Sequence, residues 1–354
     1  MAHGLMLAGH DVFLFCQKDS PLSRWTEHAE FPVHRDFNLH HLWPHYIVRG
    51  LHAYCRVLEE FQPDILNPHC PPGHSFFAVA KKMTGLRIPL VRTVADPRAP
   101  HKNAFNRILH ERLTQGLIFT TESSANRYRQ TVDFKHIRTK VIYPGFRADD
   151  FTKSIPCENF RTRFGIGADK MLAGIIARMS PEKGQEVLLR ALASLNERER
   201  ARLFCVMAGE DSRERGAADL LHLAQQLGVD EYVRFLPRLD DVRALMSELD
   251  VGIVTSTRSE AICRVALEYM SFGIPVIASD VNILPEVVLH GQNGWVFPNE
   301  DPAALAACLR EALNNDIERK QRGQKGAALA RSKFSLAQET AETLEFFNTL
   351  QTSA

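Results

Sequence analysis

The sequence predicts an α/β protein built on parallel sheets and divided into two domains. Three observations carry this. Short apolar runs bounded by turn residues alternate with amphipathic helical stretches along most of the chain. At 354 residues the chain is too long for one typical domain and suits two. Between the halves, the strand pattern at 140–143 breaks at Pro144-Gly145, and the mixed, polar stretch 147–169 reads as a linker.

Composition narrows the function. A hydrophobic content of 45% with 24% charged residues is ordinary for a globular protein. The net charge of +1 gives no sign of a nucleic-acid partner. Seven scattered cysteines, odd in number and never spaced as CxxC, argue against a disulfide framework and for a reducing cytoplasm. No run approaches the ~20 apolar residues of a membrane span. The opening lacks a basic leader region, so it reads as structure and not as a signal peptide.

In order, residues 2–7 read as the last turns of a helix, 8–10 as a turn and 12–15 as a buried strand. The stretch 21–44 is irregular and reads as a surface loop. His34, His40, His41 and His45 fit no metal-ligand spacing. A helix covers 43–61, a short strand 63–67, and a loop from His69 to His74 feeds a helix at 75–83. Strand 88–94 ends in Ala95-Asp96-Pro97-Arg98. Helix 104–115, strand 117–120, helix 122–130 and strand 140–143 complete the first half. The second half opens with strand 171–177, the loop Arg178-Met179-Ser180-Pro181-Glu182-Lys183-Gly184 and helix 185–195. Strand-helix units follow at 203–208 with 217–227 and 233–236 with 241–247. Strand 251–255 leads into the richest stretch of the chain, Arg258 to Pro298. Asp301-Pro302 caps a helix through Leu313, and helices at 316–332 and 336–350 finish the chain.

The stretch 258–298 reads loop, helix, strand, loop. A helix opening near Ile262 leaves backbone N–H groups unpaired in its first turn, a seat for an anion such as phosphate. Glu260 precedes that seat and Glu268 lies about two turns further in. Taken alone, the pair reads better as two solvated glutamates beside an amphipathic helix. Arg178 and Lys183 follow the first strand of the second half, where open α/β sheets bind ligands. They offer a fork and a point charge for phosphate oxygens. Cys263 could be a reactive thiol at the helix start, but reads better as a small apolar spacer. Asp96, flanked by Arg92, Arg98 and Lys102, follows a strand end. It reads either as a general base or as the ion-pair partner of Arg98. His69 and His74 either line a binding site or are loop residues.

Glu260, Glu268, Gly273-Ile274-Pro275-Val276, Pro285-Glu286 and His290-Gly291-Gln292-Asn293-Gly294 through Pro298 together resemble the signature of the retaining nucleotide-sugar glycosyltransferases of family 4. The phrase Ala177-Arg178-Met179-Ser180-Pro181-Glu182-Lys183-Gly184 resembles that family's GRLSPEKG. The resemblance implies the GT-B fold, two Rossmann-like domains facing a cleft. It implies an N-terminal acceptor-side domain over 1–147, a C-terminal nucleotide-sugar-binding domain over 148–335, and a last helix, 336–354, crossing back to the first domain. Gly9-His10-Asp11-Val12 matches a phrase that in the family follows a strand and a glycine-rich loop, so the N-terminal domain is expected to lack its first strand.

The resemblance further implies that Arg178 and Lys183 hold the donor diphosphate, Glu268 the ribose and Glu260 the donor sugar near the reacting carbon. Ile262, Cys263 and Arg264 fall in the donor loop, and Arg238 lies where the family's loop passes the base. Asp96, His69, His74 and Lys102 fall on the acceptor side. Ile262-Cys263 stands where many members have Phe-Gly, and Thr93-Val94-Ala95-Asp96 where many have a TVH-like phrase. The implied reaction is metal-independent, with no cofactor, and moves a sugar from a UDP- or GDP-linked donor to a glycan or glycolipid acceptor. Lipopolysaccharide or another cell-surface glycan is the expected product. A cytoplasmic protein with peripheral contact at the inner membrane face is implied. No DxD pair occurs, which sets aside the metal-dependent GT-A type. The rivals are a non-catalytic nucleotide-sugar-binding paralogue and a GT-B-fold epimerase. A nicotinamide-dependent enzyme would need a GxGxxG after a strand, and none is present.

Overall fold

Eleven parallel strands organise the computed structural model, which describes residues 1–37, 44–95, 98–153, 159–258 and 263–351. The chain divides into two units, Met1–Gly145 with Leu336–Ala354, and Phe146–Ser335.

In the first unit β1 (Leu14–Gln17) pairs with β2 (Val33–Phe37), and β3 (Val91–Val94), β4 (Gly116–Phe119) and β5 (Arg138–Val141) form a second sheet in that order. Every residue of β3 and β4 is buried, the pattern of strands covered on both faces. Strand β1 begins two residues later than the apolar run predicts. The expected strand at 63–67 is reduced to a single bridge, Leu66 to Leu90. The expected loop at 21–44 holds a helix, Pro21–Trp25, whose cap Ser20 accepts from the Ser23 N–H at 3.0 Å, and then β2. The Ser-Pro start signal was present in the sequence. His34 sits in β2 against the Phe15 ring, while His40 and His41 lie outside the described residues. Helix Leu336–Gln351 packs Phe346, Phe347 and Leu350 onto Val91, Ile118 and Ile142. Gly116 makes room for it, since a Cβ there would come within 3.0 Å of both Leu350 and Phe346.

The second unit is one six-stranded sheet: β6 (Met171–Ile176), β7 (Leu203–Ala208), β8 (Val233–Leu236), β9 (Val251–Val254), β10 (Val276–Ser279) and β11 (Gly294–Phe297). Its order is β11-β10-β9-β6-β7-β8. Strands β7, β9 and β10 are buried throughout. Strand β11 was not anticipated, because its residues were absorbed into the HGxxGxxxP-like phrase. Helix Pro302–Asn314 starts on Asp301, whose carboxylate accepts from the Ala304 N–H at 3.0 Å. The guanidinium of Arg322 lies 4.1 Å from the Trp295 ring centroid and donates to the Gly294 carbonyl at 2.9 Å, tying helix Asp316–Arg331 to β11.

Candidate functional site

The strand order of the second unit reverses between β6 and β9. The chain runs from β6 outward to β7 and β8, then returns to β9 and runs outward to β10 and β11 on the other side. Such a reversal opens a crevice at the carboxyl ends of the two strands, where ligands of open α/β sheets bind. Here the two strands part for a local reason. Strands β6 and β9 pair only at Ala173–Val251 and Gly174–Gly252. Beyond that, the Tyr269 hydroxyl donates to the Gly174 carbonyl at 3.0 Å and accepts from the Ile176 N–H at 3.0 Å. The phenol replaces the next rung of the ladder. Gly252 is obligatory beneath it, because a Cβ would overlap the Tyr269 ring. Burial pushes the Tyr269 hydroxyl pKa up, so it stays a neutral donor and acceptor.

Two loops meet at this reversal. After β6 come Arg178 and a turn of 3-10 helix, Pro181–Lys183, ending in Gly184 at φ 65°. Arg178 is exposed, its guanidinium 3.8 Å from the Glu182 carboxylate. After β9 come Thr255 to Arg258, and the Thr257 N–H donates to the Glu182 carbonyl at 2.8 Å. The two loops therefore touch.

The helix expected to open near Ile262 spans Arg264–Ser271, with Cys263 as its N-cap. The Cys263 side chain is buried and makes no capping hydrogen bond, so the first-turn N–H groups are not claimed by it. Glu268 lies one turn in, with its side chain 14% exposed, and the Arg264 Nε donates to its carboxylate at 2.9 Å. Burial raises the Glu268 carboxyl pKa and Arg264 opposes the shift. Arg178, Lys183, Cys263, Arg264 and Glu268 thus all belong to segments that leave β6 and β9. Arg238 follows β8, two strands away, and stands 3.6 Å from Glu210. Glu260 and Ile262 lie outside the described residues.

In the first unit, Asp96 also lies outside the described residues. His69 is exposed, its Nε2 2.9 Å from the Asn67 Oδ1. Lys102 is exposed just before helix Ala104–Leu113. His74 is a correction. It is 1% exposed inside helix Pro71–Thr84, a helix that starts four residues before the expected position. Its Nε2 is 2.7 Å from the Thr114 hydroxyl and its ring meets that of His110 edge-on at 5.0 Å. It presents no surface to an acceptor. Burial, His110 and the Arg92 guanidinium, in that order, hold its pKa down to about 2. The residues missed from the sequence are those that build the site from behind: buried Tyr269, Thr255 and Gln185, and half-buried Thr257.

Residues 157–328 match the family described as glycosyl transferases group 1, and residues 1–150 match glycosyltransferase family 4. A D-inositol 3-phosphate glycosyltransferase of Corynebacterium glutamicum is 29% identical over 282 residues, 74% of this chain and 67% of that protein. Against its counterpart from Corynebacterium efficiens, the aligned stretch spans only 62% of the relative's length. A glycosyltransferase structure from Rickettsia africae superposes with a TM-score of 0.86 at 18% identity, covering 100% of this chain and 93% of that one. Anabaena HepE, solved in complex with UDP and glucose, superposes with a TM-score of 0.73 at 22% identity, covering 95% and 91%. At these identities the structures speak for the fold alone.

Proposed function

The chain belongs to glycosyltransferase family 4, with the GT-B fold of two Rossmann-like domains, and from that premise we propose that it is a retaining, metal-independent transferase that moves a sugar from a nucleotide donor to a hydroxyl acceptor. The observation that carries the reading is the meeting of the Arg178–Lys183 loop with the loop leading to helix Arg264–Ser271, at the reversal of the strand order. A nucleoside diphosphate leaving group gathers negative charge as the glycosidic bond breaks. Arg178, Lys183 and the positive end of the helix supply positive charge to offset that development, the work a divalent ion does elsewhere. Glu268, whose carboxyl pKa is raised by burial, exchanges its Arg264 partner for ribose hydroxyls. Glu260 would hold the donor sugar and Asp96 the acceptor hydroxyl.

UDP is the favoured nucleotide, because HepE was solved with UDP and with UDP-glucose. The acceptor is a hydroxyl of a cell-surface glycan or glycolipid precursor, with a phosphorylated inositol as the alternative that the corynebacterial relatives' names favour. Peripheral contact with the inner membrane face belongs to the same reading. Helix Ala104–Leu113 shows Phe105 (60%) and Ile108 (45%) beside exposed Lys102, Arg107 and Arg112. Co-sedimentation with anionic vesicles tests that contact, and no sedimentation would remove it.

Thermal unfolding with UDP, GDP and ADP, alone and as their sugars, tests the donor site. One nucleotide should stabilise the protein, and Lys183→Ala and Glu268→Ala should sharply reduce the shift. If no nucleotide stabilises the folded protein, the transferase reading fails.

A further inference from the structure

We propose that Thr255 and Thr257 are positioning residues for Lys183, holding the diphosphate-binding turn in place through its main chain; the inference rests on the nucleotide-site reading above. The turn Pro181–Lys183 ends with carbonyls pointing out of its last residues, as any helix end does. The Thr255 hydroxyl donates to the Lys183 carbonyl at 2.8 Å. The Thr257 N–H donates to the Glu182 carbonyl at 2.8 Å, and the Thr257 hydroxyl reaches the Pro181 carbonyl at 3.3 Å. Three consecutive carbonyls thus receive donors from two threonines on the neighbouring strand's loop. The approach is close enough that Gly184 tolerates no side chain, since a Cβ there would overlap the Thr255 carbonyl oxygen.

The threonine loop is itself anchored. The Ser279 hydroxyl donates to the Ser256 carbonyl at 2.6 Å, and the Asn299 Nδ2 donates to the Thr257 carbonyl at 2.8 Å. On the far side of the basic loop, the Gln185 Nε2 donates to the Arg178 carbonyl at 2.9 Å. A chain of hydrogen bonds therefore runs from the ends of β10 and β11, through the β9 loop, to the backbone that carries the cations.

Two physical consequences follow for an anion. Lys183 has a flexible stem, so its ammonium is only as well placed as the Cα that bears it. The carbonyl ends of the turn are negative, and satisfying them with hydroxyl and amide donors lowers the repulsion they exert on a phosphate nearby. Preorganisation of this kind shows in affinity, because the free protein has already met the ordering cost.

The test is calorimetric titration of the full chain with UDP, with GDP and ADP in parallel. Thr255→Val removes the hydroxyl and keeps the branched shape. It should weaken binding about tenfold, equivalent to about 1.4 kcal/mol, and Thr255→Ser should restore it. In the Lys183→Ala background the same Thr255→Val change should alter affinity less than about twofold, because the two residues act as one unit. Thr257→Val carries the same comparison if Thr255→Val does not fold. Wild-type affinity in Thr255→Val, or equal weakening in both backgrounds, would overturn the assignment. If wild type binds none of the three nucleotides, the donor-site reading fails and the positioning role falls with it.

Discussion

Replacing His74 by Gln should flatten the acid sensitivity of the first unit, and the size follows from the structure. His74 is buried and donates through its Nε2 to Thr114, whose own hydroxyl donates to the Leu109 carbonyl at 2.7 Å. A second proton on the ring would place a cation beside His110 and the Arg92 guanidinium. An ordinary histidine titrates near 6.5, whereas this one is held down to about 2. The unfolded chain therefore binds a proton on acidification that the folded chain refuses. Stability contributed this way is present above the ordinary pKa and lost as pH falls below it. Between pH 7.5 and pH 5.0 the loss is about 1.5 pH units' worth, or about 2 kcal/mol at about 1.4 kcal/mol per unit. His110, lowered chiefly by burial, adds in the same direction. Amide hydrogen exchange in helix Pro71–Thr84 at the two pH values, corrected for intrinsic rates, reads this locally. Wild-type protection should fall about 30-fold more than that of His74→Gln, which keeps a donor for Thr114 and cannot titrate. An equal fall in both proteins would show that the His74 ring is solvated and the interior placement wrong.

Two further substitutions probe the crevice. Tyr269→Phe strands the Ile176 N–H and the Gly174 carbonyl in the interior; urea unfolding should show a loss of about 1–3 kcal/mol, and unchanged stability would mean that these groups are otherwise satisfied. Gly184→Ala forces a side chain into a left-handed backbone against the Thr255 carbonyl. It should cost about 1–3 kcal/mol from the backbone conformation alone and weaken UDP binding, so an alanine variant with wild-type stability in urea would refute the close approach.

Much of the second unit could be read directly from the chain. Strands β6 to β10 fall within a residue or two of their apolar runs, because buried parallel strands are continuous in hydrophobicity and bounded by turn residues. The caps at Asp301 and the basic loop at 178–184 were legible for the same reason, as both are local chemistry. The first unit was harder. Strand β2 lies in a polar stretch rich in histidine, and Leu66 pairs at one bridge only, so neither leaves a strong periodic signal. His74 belongs to a phrase of prolines and histidines that reads as a loop. The two prolines instead occupy the first turn of a helix, where their missing N–H groups are not needed.

Composition and pattern by themselves determined the α/β class, the two-domain division, the basic turn and the acid-bearing helix, because each is written within a few consecutive residues. Tertiary structure alone decided how those pieces become a site. It placed β6 beside β9, put the Tyr269 hydroxyl between them 95 residues from Gly174, and brought the Thr255 hydroxyl to Lys183 across 72 residues. A hydrogen bond between such distant positions leaves no trace in local periodicity. It depends on the strand order, and strand order is set by which faces can be buried together.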